Sequence, residues 1–88
     1  MKPTPFADAE RGFNEAVAPC PLRIILIGIE LKNDGSGMEF VFRVPRVDKV
    51  HIVGLKRFSS VLEAGREAGE AAAHWATDRV SRETSGGT

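Results

Sequence analysis

Apolar residues near the start of the chain recur at intervals of three and four: Phe6, Ala9, Phe13, Ala16 and Val17. That spacing predicts an amphipathic helix, with Thr4 as its N-cap, Pro5 in its first turn and Asp8 and Glu10 near the positive end of its dipole. Pro19-Cys20-Pro21 ends it, because proline lacks the amide proton and disfavours helical geometry in the residue before it. From Leu22 to Lys32 the period changes to two and the residues become β-branched. Ile25, Ile27, Ile29 and Leu31 fall on one side of this strand, with Leu22, Ile24 and Leu26 on the other. Asn33 to Gly37 reads as a turn. Met38 to Val44 alternates cleanly, Met38, Phe40, Phe42 and Val44 against Glu39, Val41 and Arg43. Pro45 to Lys49 makes a tight connection to a third strand, Val50 to Leu55, and a connection that short permits only antiparallel pairing.

The last element is predicted as a helix from about Val61 to about Val80 or Arg82, opened by a capping box of Ser60 and Glu63. It raises a question, because Gly65 and Gly69 lie in its interior, and each costs about 0.8–1 kcal/mol relative to alanine. On a helical wheel Val61, Gly65, Ala68, Gly69, Ala72 and Ala76 share one side with Trp75 beside them. Close backbone approach offsets the cost, either on the chain's own sheet or on a second copy.

The order helix, strand, strand, strand, helix predicts an α+β fold, α-β-β-β-α: a three-stranded antiparallel meander with both helices packed on one face. Eighty-eight residues make one domain, 1–88, with 1–4 and 83–88 expected to be flexible. A meander leaves the first strand at an edge, apolar on both sides and blunted only by Glu30 and Lys32. Such an edge calls for a covering neighbour. The predicted partner interface is Ile25, Ile27, Ile29, Gly65, Gly69, Ala72 and Trp75.

Charge adds little direction. Twelve basic residues balance twelve acidic ones, which argues against a strong polyanion binder. Cys20 is the single cysteine, so neither an internal disulfide nor a cysteine metal cluster is expected. No N-terminal apolar run resembles a signal peptide, and "IILIGI" is too short to span a bilayer; the expectation is a cytoplasmic protein without membrane association. His51 and His74 fall on different elements. His51 is read as packed among apolar neighbours, and His74 as a surface partner of Glu70 one turn away. No metal, cofactor fingerprint or nucleophile motif is legible, so no enzymatic activity is expected.

The loop Gly54 to Ser60 is the most site-like segment. Lys56, Arg57, Ser59 and Ser60 surround a helix N-terminus, where an anion such as phosphate would be favoured. The order of elements resembles the double-stranded-RNA-binding domain, in which a lysine cluster at the second helix holds phosphates. That resemblance implies nucleic-acid binding through Lys56 and Arg57 with Arg46 and Lys49; the helix itself opens with Glu63 and Glu67 rather than lysines. The segment from Val50 to Trp75 also resembles the closing strand and helix of patatin-like phospholipases, around Phe58 and Ala64-Gly65-Arg66. The chain has no Gly-x-Ser-x-Gly elbow, and Asp34-Gly35-Ser36 departs from that family's aspartate motif, so this resemblance implies a catalytically empty piece. The leading expectation is a small non-enzymatic interaction module, an adaptor, inhibitor or modulator, that homodimerises or docks on a partner protein.

Overall fold

A computed structural model describes residues 6–32 and 37–86, with side chains as far as residue 83. Thr4, Pro5 and most of the first turn, 33–36, lie outside the described residues. The elements are α1 (Ala7–Val17), β1 (Ile25–Leu31), β2 (Met38–Val44), β3 (Lys49–Leu55) and α2 (Val61–Gly86). The strands form one antiparallel sheet in the order β1-β2-β3, so the chain is an α+β fold with β1 and β3 at the edges. No described helix is long and apolar enough to cross a membrane.

The middle strand decides which face the helices cover. Met38, Phe40, Phe42 and Val44 are all at most 1% exposed, whereas Glu39, Val41 and Arg43 on the other side are not buried. The flanking strands are apolar on both faces and could not make that choice. Ala9 and Phe13 of α1 and the row Ala64, Ala68, Ala72 and Ala76 of α2 complete the core. Phe13 stacks near Phe40 and tilts against Phe42, with ring centroids about 6 Å apart.

The two interior glycines of α2 are explained by α1. A methyl group at Gly65 would overlap the carbonyl of Ala9, and one at Gly69 would stand 2.6 Å from the Ala16 Cβ and 2.7 Å from the Phe13 carbonyl. Gly12 reciprocates from α1, lying against the Leu62 carbonyl and the Arg66 amide. Small residues on both helices thus let the two backbones touch. The close approach is neither to the sheet nor to a second copy, but between the helices of one chain.

Three local details depart from the sequence expectation. Only half the capping box forms: the Glu63 amide donates to the Ser60 Oγ at 3.2 Å, while the Glu63 carboxylate accepts from Arg66 at 3.0 Å instead of turning back. Helix α2 runs to Gly86, past the predicted end; Asp78–Arg82 and Arg79–Glu83 pairs at i,i+4 support its late turns. The third departure is in β1. Its register slips by one residue between Leu26 and Gly28, so Leu26 pairs with Phe42 and Gly28 with Val41, leaving Ile27 as the extra residue of a β-bulge.

Candidate functional site

The bulge changes which isoleucines share a face. Without it Ile25, Ile27, Ile29 and Leu31 would alternate together. With it, Ile29 pairs with the buried Phe40 and packs against the core, Ile25 stays on the outer face, and Ile27, unpaired and exposed, lines a depression at the β1 edge with Phe6 and with Glu10 of α1. Ile29 therefore leaves the predicted partner set. So do Gly65, Gly69 and Ala72, which are buried within the chain. Trp75 is also committed: its indole stacks on the His51 imidazole at 4.3 Å and 6° and meets Phe42 edge-on at 5.7 Å. His51 closes the same cluster edge-on to Phe42, consistent with its expected packing role.

What remains uncovered is the sheet face opposite the helices. The register sets out its rows. Glu30, Glu39 and Gly54 form one; Gly28, Val41 and Ile52 form the next, with Ile27 bulged beside them; Ile25, Arg43 and Val50 form the third. Ile27, Val50 and Ile52 are 57%, 58% and 52% exposed, and Ile25 is 38% exposed. An apolar band thus crosses all three strands, although a sheet with one free face normally alternates apolar inside and polar outside.

Charge borders the band asymmetrically. At one end the two carboxylates Glu30 and Glu39 stand directly opposite each other, an unfavourable arrangement across antiparallel strands. Lys32 reaches Glu39 at 3.3 Å; no ion pair joins Glu30 to another of the described residues. At the other end Arg43 is flanked by Ile25 and Val50, and its guanidinium donates to Asp48 at 2.9 Å. Asp48 takes a positive φ of 52° in the β2–β3 turn. The exposed Arg46 and Lys49 lie in or beside that turn.

Val41, Val50 and Ile52 were missed by the reading of the sequence. Two signals could have found them. The polarity of β2 assigns its inner face, and the tight connection after Val44 then fixes β3's register and places Val50 and Ile52 on the outer side.

The basic loop is arranged differently. Lys56, Arg57, Ser59 and Ser60 are all exposed, and the Ser60 hydroxyl is occupied as the cap of α2. Arg66, in the second turn of α2, is tied to Glu63 and to Glu15 of α1. Acidic side chains thus accompany the basic ones at this end of α2. Cys20 is half-buried, beside Ala16, Ala73 and His74 in a shallow depression. No family model matches the chain, and no curated protein or solved structure matches it.

Proposed function

We propose that the chain is a small, non-enzymatic protein-interaction module that associates through the open face of its sheet. One observation carries this reading: Ile25, Val50 and Ile52 lie exposed on the face that the helices leave free. Side chains of this size gain about 1.5–3 kcal/mol each on full burial, and none of the described residues provides that burial. The helix pair, by contrast, has used its small-residue surfaces on itself.

The contact is assigned to the face rather than to the β1 edge because the edge carries a bulge, one of the devices that prevent strand addition. Nucleic acid is the less favoured occupant. The exposed band is aliphatic rather than basic or aromatic, the features that hold single strands, and the basic loop is offset by Glu63.

A photo-crosslinking residue placed at Ile52, with Glu67 on α2 as the control position, tests the reading in the organism that encodes the chain. Expected is an adduct of one discrete mass from position 52 only, lost when Val50→Lys is added. Absence of any position-specific adduct overturns the proposal.

A further inference from the structure

The geometry points to a second copy of this chain as the occupant of the open face, docked sheet on sheet with β2 running antiparallel to β2 of its partner. This inference rests on the proposed interaction face and names what covers it.

The argument is one of symmetry. Val41 sits at the centre of the outer face, on the middle strand. Glu39 lies two residues before it and Arg43 two residues after it, both on the same side of β2. A twofold axis lying between two such faces, perpendicular to the strands and passing over Val41, exchanges those two positions. Glu39 of each copy then falls over Arg43 of the other, and the central rows of Gly28, Val41 and Ile52 coincide. Interfaces with this symmetry must be self-complementary, and a band with opposite charges at equal distances on either side meets that condition.

Charge also selects the orientation. An axis parallel to the strands and over β2 would place Glu39 over Glu39 and Arg43 over Arg43, and like-charge juxtapositions of that kind suppress association. In the antiparallel arrangement the Glu30–Glu39 row, where Lys32 is the one cation in an ion pair among the described residues and Lys56 lies nearby, faces the end of the molecule that holds Arg43, Arg46 and Lys49. The shape of the site agrees. The face has glycines at positions 28 and 54, which leave room for another sheet about 10 Å away.

Size sets the strength. Three strands of seven residues offer a planar footprint of roughly 300 Å². Side-chain relief adds to this, but the sum stays below the roughly 800 Å² per partner of a standard interface. The dimer is therefore reversible and concentration-dependent.

Sedimentation velocity on the purified chain, from 1 μM to 1 mM at low salt, tests this with three proteins. The unmodified chain is expected to pass from monomer to dimer within that range. Glu39→Arg and Arg43→Glu each set like charges against each other in their own dimers and should weaken association about tenfold. A one-to-one mixture of the two variants restores opposite charges at every contact and should recover it. Circular dichroism on each variant confirms that it is folded, since both changed residues are on the surface. Two outcomes overturn the inference: a chain that stays monomeric to 1 mM, or a dimer indifferent to both single changes. A monomeric purified chain that still gives the Ile52 adduct in cells defeats the second copy while leaving the interaction face standing; failure of both experiments defeats both.

Discussion

Gly65 lies against the carbonyl of Ala9 so closely that no side chain fits between them. In an exposed helix the change Gly65→Ala gains about 1 kcal/mol from propensity. Here the added methyl meets backbone, which cannot rotate away, and overpacking of that kind costs about 1–3 kcal/mol or more. The expected result is a net loss of about 2 kcal/mol, a drop in melting temperature of roughly 8–16 °C for a domain of this size. Gly69→Ala should lose stability too, through its contacts with Ala16 and Phe13. Thermal unfolding followed at 222 nm checks both, and a stabilised Gly65→Ala variant would show that the helices are not in contact at this point.

Gly28 gives the opposite expectation. Nothing lies within 4 Å of where its Cβ would stand. Glycine inside a strand costs roughly 0.5–1 kcal/mol relative to alanine. Gly28→Ala should therefore leave stability unchanged or raise it by about 0.5 kcal/mol in urea denaturation. Together with Gly65→Ala it makes a pair of identical chemical changes with opposite signs.

The stack of His51 on Trp75 joins the β3 edge to α2. Aromatic pairs contribute about 0.5–1.5 kcal/mol beyond the area they bury. A double-mutant cycle with His51→Ala and Trp75→Ala should return a coupling energy in that range, while Trp75→Ala alone costs about 2 kcal/mol or more. A coupling near zero would reduce the stack to mere adjacency.

At the start of α2 the two halves of the sequence signature separate. Ser60→Ala removes the hydroxyl that accepts the Glu63 amide and should cost about 1 kcal/mol. Glu63→Gln disturbs only an exposed pair with Arg66 and should change stability by less than about 0.5 kcal/mol. Chemical denaturation of both variants distinguishes this arrangement from a full capping box, in which the two losses would be similar.

The elements and their pairing were legible in the sequence because each rested on a local signal: three-and-four spacing in α1, strict alternation in β2, and a connection after Val44 too short for a crossover. β2 was the most informative strand, since its polarity left one possible inner face. The candidate site was only partly legible. Ile25 and Ile27 could be read as exposed, but the destination of Ile29 depended on a bulge at Ile27–Gly28, for which the isolated strand glycine was the one local signal. Gly65 and Gly69 were conspicuous, yet their partner was not, because Gly12 lies in a helix whose pattern of apolar residues needs no glycine to be understood. Periodicity reports which side of a helix is small. It does not report which neighbour uses that side.

The doubled position in β1 has a consequence for how this chain can change length. In an ordinary strand, losing one residue inverts everything beyond the cut and would turn a core isoleucine out into water. At Ile27–Gly28 the parity is already offset by one. Excising either residue there would straighten the ribbon while Leu26 and Ile29 kept their present neighbours. Of all places in the sheet, this is where a deletion would do least harm.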